Sequence, residues 1–171
     1  MTDTPNGNAT SPDSAEGAAP EDSGFRAQVM TQYIKDLSFE NPQVKRILEG
    51  PPEDTKLTIE VNVNARRVQD GLFEVQIDFT ATAKGTERAV YQLELIYGGL
   101  FQIENLPQDA LEPFLLVNCP ALLFPFLRRI VADLTREGGF EPLLLDPVDF
   151  GQLYLQRKRA GSVQTAAAAD N

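Results

Sequence analysis

The chain has 171 residues and a formal net charge of −10, with 25 acids against 15 bases, one cysteine and no histidine. That length admits one domain of ordinary size, able to bury a core without disulfide or metal staples. The acidic balance argues against nucleic acid and anionic membrane as partners, and the lack of histidine removes the commonest general base and metal ligand.

Residues 1–24 carry five acids (Asp3, Asp13, Glu16, Glu21, Asp22), no base and no large apolar residue after Met1. Such a stretch cannot bury enough surface to offset chain entropy, so 1–24 is predicted to be a disordered acidic tail. It has neither a basic start nor an apolar run, so no secretory signal is visible. Cys119 has no partner for an intrachain disulfide, which fits a reducing compartment. The chain therefore reads as soluble and cytoplasmic.

FRAQVMTQYI, 25–34, reads as a strand, and KDLSFENP, 35–42, as a loop after it. The loop mixes Asp36 and Glu40 with Leu37 and Phe39. One reading is a strand end closed by turn residues Glu40, Asn41 and Pro42. The other keeps the acids outside for a basic partner while Leu37 and Phe39 anchor the loop or line an apolar groove. In TKLTIEVNVNARR, Leu57, Ile59, Val61 and Val63 alternate with polar residues; in LFEVQIDFTATA, Phe73, Val75, Ile77 and Phe79 do the same. Period two with one apolar face is the pattern of an antiparallel sheet covered on one side. Asp70-Gly71 between these runs predicts a tight hairpin. AVYQLELIY, 89–97, is a further strand with Tyr91, Leu93, Leu95 and Tyr97 on one face, ended or bent by Gly98-Gly99. Glu60, Glu74, Asp78 and Glu94 fall on the opposite face, which is predicted to be wet and acidic.

After Pro107 the period becomes helical. One long helix runs to a Gly-Gly stop at 138–139, kinked or broken by Pro120 and Pro125. Its longest apolar run, 114–127, is too short for a membrane span and contains Asn118. A second helix starts at Pro147 under an Asp146 cap, with Asp149 in its first turn. Residues 161–171 read as a flexible C-terminal tail whose alanines can extend that helix. Strands followed by helices give an α+β domain over 25–160: a four-stranded antiparallel sheet with two C-terminal helices on one face.

The sequence offers little chemistry. It has no phosphate-binding loop, dinucleotide fingerprint or cysteine pair, and no histidine to activate Cys119, which reads as an inert core thiol. No cofactor and no metal site are predicted. An enzyme relying on paired carboxylates is the contrast class, tested by replacing the strand-face acids.

Three stretches, YIKDLSFENP, ELIYGGLF and NCPALLFPFLRRIVADLTREGGFEPLLLDPVDFGQLY, together resemble the SecB family of bacterial export chaperones, in the family's order over residues 25 to about 156. The acidic tail lies outside the familiar pattern. The resemblance implies the α+β fold above, a homotetramer built as a dimer of dimers, and no nucleotide or metal. It also implies that unfolded preproteins are held and delivered to the SecA motor ATPase. The SecA contact would map to Asp36, Glu40 and Glu94. The position two before Glu94, hydrophobic in familiar members, is Gln92 here. Client-binding candidates are Phe39, Phe124, Phe126, Phe140, Leu143, Leu144, Leu145, Phe150 and Tyr154, with the proline-bracketed run FEPLLLDP at their centre. Leu93, Leu95 and Tyr97 are the candidate oligomer contact, as a face that the helices leave partly uncovered. A substrate-specific secretion chaperone, also acidic and α+β, is the alternative; capture of several unrelated unfolded proteins would exclude it.

Overall fold

The computed structural model describes residues 24–42, 45–49, 54–86 and 89–168, and for residues 46, 47 and 161–168 the backbone alone. The expectation for 1–23 lies outside the described residues. Strands β1 (Arg26–Glu40), β2 (Lys56–Gln69), β3 (Leu72–Lys84) and β4 (Ala89–Glu104) form one antiparallel sheet in the order β1-β4-β3-β2. A short helix, α1 (Arg46–Glu49), lies in the connection from β1 to β2. The sheet and the two C-terminal helices are the architecture the sequence predicts. Asp70-Gly71 makes the tight hairpin between Gln69 and Leu72, with Gly71 at φ +69°, where a side chain would be strained.

Two strands run further than their local pattern suggests. KDLSFENP is not a loop: β1 continues to Glu40, with Leu37 opposite Leu95 and Phe39 opposite Leu93. Its alternation is hidden because a bulge at Lys35, between Ile34 and Asp36, shifts the phase by one residue. Likewise β4 does not stop at Gly98-Gly99. A Cβ on Gly98 would lie 3.3 Å from the Tyr33 ring on one face, and a Cβ on Gly99 would lie 2.9 Å from a Leu123 methyl on the other. The pair clears both faces for close neighbours instead of ending the strand.

The long helix is one 30-residue run, Gln108–Glu137. It comprises α2 (Gln108–Pro113), a π-helical turn (Phe114–Asn118) and α3 (Cys119–Glu137). The widened turn has a covalent cause. Pro120 has no N–H and its ring crowds the carbonyl four residues back, so the backbone relaxes to longer bonds, with Cys119 N–H reaching Phe114 O. The C-terminus closes as predicted: Gly139, at φ +87°, lets Phe140 N–H return to Thr135 O and its own N–H to Arg136 O. The last helix, α4 (Phe150–Ala168), begins three residues later than expected. Its cap is Asp149, whose carboxylate accepts from Gln152 N–H at 3.0 Å, and not Asp146. The helix runs on to Ala168, the extension that the alanines allow.

α3 lies on β3 and β4. A helix is about 10–12 Å across, whereas four strands span roughly 19 Å, so one helix cannot cover the sheet. The burial follows this arithmetic. On the central strands Val75, Ile77, Phe79, Leu93 and Leu95 are 0–1% exposed, while on the edges Ile34, Leu37, Leu57 and Ile59 are 47%, 39%, 41% and 41% exposed. By length and mean hydropathy (1.6 over its most apolar 18 residues) the long helix is also apolar enough to cross a membrane. Here its apolar stripe of Leu123, Leu127 and Val131 is fully buried against the sheet.

On the β2 side the extended segment 140–149 is pinned to α3 by one buried hydroxyl. Thr135 donates back to the Val131 carbonyl and accepts from Leu143 N–H at 2.9 Å. Thr135→Val keeps the shape but leaves that N–H without a partner, a loss of roughly 1–3 kcal/mol. Chemical denaturation should show that loss, and exchange of the Leu143 amide should accelerate; Thr135→Ser should retain slow exchange.

Candidate binding surfaces

The outer face of the sheet carries the three acids that the sequence singles out. Register puts Ser38 of β1 directly opposite Glu94 of β4, with Asp36 and Glu40 diagonal to it on either side. Such diagonal neighbours lie about 7–8 Å apart. All three side chains are exposed, and among the described residues none has an ion-pair partner. The bulge contributes to this. Lys35, next to Asp36 in sequence, is swung away to Glu74 (3.2 Å) and Gln76 (2.8 Å), leaving the acid patch without its nearest cation. Gln92 donates to Glu94 at 2.7 Å and orients that carboxylate.

Glu74 departs from the wet acidic face expected for it. It is 4% exposed and accepts hydrogen bonds from Tyr33, Lys35 and Arg66. The Tyr33 hydrogen bond is the largest cause holding its carboxyl down to about 2; Arg66 and Lys35 add to it, against the opposing effect of burial. Burial, followed by the Glu74 bond, pushes Tyr33 up to about 12. The network continues through Gln76 to Asp78 and Asn64, tying the outer face across the sheet. A buried charge needs such partners, and strand alternation alone does not report them.

The inner face divides the client candidates. Phe124, Leu145 and Phe150 are buried in the core, with Phe124 edge-on to Phe150 at 5.7 Å. Phe39, Phe140, Leu143 and Tyr154 are half-buried, while Phe126 and Leu144 are exposed. Phe39 stacks on Tyr91 at 5.9 Å, and Tyr91 meets Phe140 at 5.0 Å, so β1, β4 and the end of α3 share one aromatic cluster. Along β2 a cavity of about 410 Å³ is lined by Leu57, Ile59, Phe124, Leu143, Leu144 and Pro147, among others. Farther along the same strand, cavities of about 560 and 420 Å³ open between β2, the long helix and α4. They flank Arg157, which donates to Val63 O at 2.7 Å and occupies one edge carbonyl.

Leu93, Leu95 and Tyr97 are not an uncovered face. They lie beneath the helix layer at 0%, 1% and 7% exposure, inside the core of a single subunit. The apolar surface left open belongs to the edge strands and the flank of α3: Met30, Ile34 and Leu37 on β1, Leu122 and Phe126 on the helix. Leu122, Phe126 and Arg129 recur at helical spacing, on the flank opposite Phe124 and Thr135, which face the 140–150 segment. The sequence reading missed Ile34 and Leu122 because exposure depends on helix width, which the local pattern does not contain. Cys119 is fully buried, and burial pushes its thiol up to about 12, which keeps it protonated and closed to reaction.

Residues 20–161 match the family model for SecB, described as a preprotein translocase subunit. Two protein-export proteins SecB are similar over nearly the whole chain. That of Afipia carboxidovorans is 46% identical over 158 residues, covering 92% of this chain and 96% of its own. That of Azorhizobium caulinodans is 44% identical over 155 residues, covering 90% and 97%. Among solved structures, a SecB-like chaperone of Mycobacterium tuberculosis, in complex with a ChAD peptide from the HigA1 antitoxin, shares the fold. Its TM-score is 0.59 at 18% identity, covering 72% of this chain and 91% of that one.

The Glu74 network sets an acid limit. Its carboxyl is held at about 2 against an ordinary value of 4.5. The stabilisation is therefore complete above the unfolded value and is lost as pH falls through the folded one. Denaturation midpoints of the wild type should drop across that window. Glu74→Gln should be less stable at neutral pH and should converge with the wild type near pH 2; parallel profiles would show that the carboxylate is not the group involved.

Proposed function

The chain belongs to the SecB family of protein-export chaperones, and from that premise we propose that it holds unfolded preproteins in the cytoplasm without nucleotide and delivers them to SecA. The observation that carries the division of labour is the polarity of the sheet. Its outer face presents Asp36, Glu40 and Glu94, which have no cation partner among the described residues, and its inner face presents an apolar groove along β2. A cluster of like charges attracts a basic surface through a field that salt screens over about 8–10 Å. It offers an unfolded apolar chain nothing comparable.

Client holding is assigned to the β2 side. The cavity beside Leu57, Ile59 and Leu144 follows an edge strand, and an extended segment can meet backbone and apolar wall there together. Of the candidates, Leu143 and Leu144 line that wall, and Phe39 and Phe140 belong to the aromatic cluster at its far end. Phe124, Leu145 and Phe150 support the groove from within the core. Tyr154 borders the second cavity.

Assembly is assigned to the β1 side. Ile34 and Leu37, with Leu122 and Phe126 across the α3 flank, form an apolar strip suited to a second copy. The proposed product is a dimer of dimers near four times 18.8 kDa. A charge at Leu93 or Leu95 would disrupt the core, whereas Ile34→Glu with Phe126→Glu should dissociate the assembly and leave the subunit folded. Light scattering with circular dichroism distinguishes the two.

Reversal of Asp36, Glu40 and Glu94 to Lys should weaken SecA binding at least tenfold while aggregation of a diluted denatured client is still suppressed without nucleotide. The wild-type SecA interaction should weaken as salt rises, with client holding changing little. Unchanged SecA affinity in the triple variant, or joint loss of both activities, contradicts the assignment.

A further inference from the structure

The acid patch is not polar throughout. The β1-β4-β3 register lays two cross-strand rows over this part of the outer face, Ser38-Glu94-Thr80 and Asp36-Ile96-Asp78. Ile96 is the one hydrocarbon side chain in them. It is half-buried and stands directly opposite a carboxylate on each side, at the spacing of paired residues, about 4.5–5.5 Å between Cβ atoms. Along β4 its outward neighbours are Glu94 on one side and Gly98, covered by the Tyr33 ring, on the other. Folding gains little from an isoleucine in this setting. The cross-strand pairs that stabilise a sheet join aromatic, β-branched or oppositely charged partners, and an aspartate on either side is none of these. The surrounding polar groups are held in place. Asp78 accepts from Asn64 at 2.7 Å and from Gln76 at 3.0 Å, and the Gln92 amide is turned onto Glu94 at 2.7 Å. Lys35, the cation that borders Ile96 on the Gly98 side, is drawn to Glu74 and Gln76.

We propose that Ile96 is the apolar anchor of the acidic contact, a specificity-determining residue on which the partner seats a hydrophobic side chain flanked by Lys or Arg. The proposal rests on the assignment of this face to SecA. It adds the chemistry of the SecA segment, which is amphipathic and basic and not merely cationic. Asp36 and Glu94 take the flanking cations by charge complementarity. The Tyr33 ring, tied to Glu74, closes the apolar spot toward Gly98. Gln92 cannot serve as the anchor, because it is an amide engaged with Glu94. The two components of such a contact act on different rates. Rim charges govern association and its salt dependence, whereas a desolvated apolar centre governs dissociation.

The test measures SecA affinity and binding rates against salt concentration for the full-length wild type, Ile96→Thr, Ile96→Val and Asp36→Asn. Threonine keeps the β-branched shape and the strand preference, so the sheet is retained; circular dichroism and light scattering verify this. Ile96→Thr should weaken SecA binding about four- to tenfold at every salt concentration, through faster dissociation and with an unchanged salt slope. Ile96→Val should recover most of the loss. Asp36→Asn should do the opposite, slowing association and lowering the salt slope. Suppression of client aggregation should be the same in all four. Wild-type SecA affinity in Ile96→Thr, with binding lost in the triple Lys reversal of Asp36, Glu40 and Glu94, overturns the anchor and leaves the SecA assignment standing. A triple reversal without effect overturns both. A change of oligomer mass in Ile96→Thr places the residue in a contact between copies of the chain and likewise overturns the proposal.

Discussion

One helix layer is narrower than four strands, and most of the surface follows from that mismatch. α3 seals the central strands and leaves both edges of the inner face half-covered. This chain places little there: the extended 140–149 segment with α4 beside β2, and no element packed along the β1 flank among the described residues. Two apolar margins of different character result. One is a flat strip against a helix flank, to which the proposed assembly is assigned. The other is a trough with an irregular wall, suited to partners of varied sequence.

The outer face obeys a different constraint. Because the sheet is a single layer, every second residue of each strand faces away from the core and must be polar or paired. The face solves this with a buried carboxylate at one end and, at the other, exposed acids that have no ion-pair partner among the described residues. The Lys35 bulge joins the two solutions, since it carries the cation toward Glu74 and leaves Asp36 exposed. The same five residues, Asp36 to Glu40, then alternate between the acid patch and the inner face, with Phe39 in the aromatic cluster and Glu40 outside.

Much of this was legible in the sequence. The alternation in β2 and β3, the Asp70-Gly71 hairpin, the Gly-Gly helix stop and the position of the α+β boundary are local signals, and each holds in the fold. The features that were not legible depend on neighbours. A bulge breaks the phase of β1, so 35–40 looks like a loop. Gly98-Gly99 looks like a stop because the ring and the methyl it accommodates come from Tyr33 and Leu123, distant in sequence. Glu74 looks solvated because its three partners sit on two other strands. Leu93, Leu95 and Tyr97 look available because strand pattern does not say which strands a helix will cover. Asp36, Glu40 and Glu94 are grouped by the family resemblance and not by local pattern, and they do share one face.

The central claim is that the two sides of one sheet serve two kinds of partner. Photo-crosslinking groups placed singly at Glu94 and at Leu144, in the presence of both a radiolabelled unfolded precursor and SecA, test it most directly. The account predicts that Leu144 captures the precursor and not SecA, and that Glu94 captures SecA and not the precursor. Capture of the precursor from Glu94, or of SecA from Leu144, at comparable yield would contradict it.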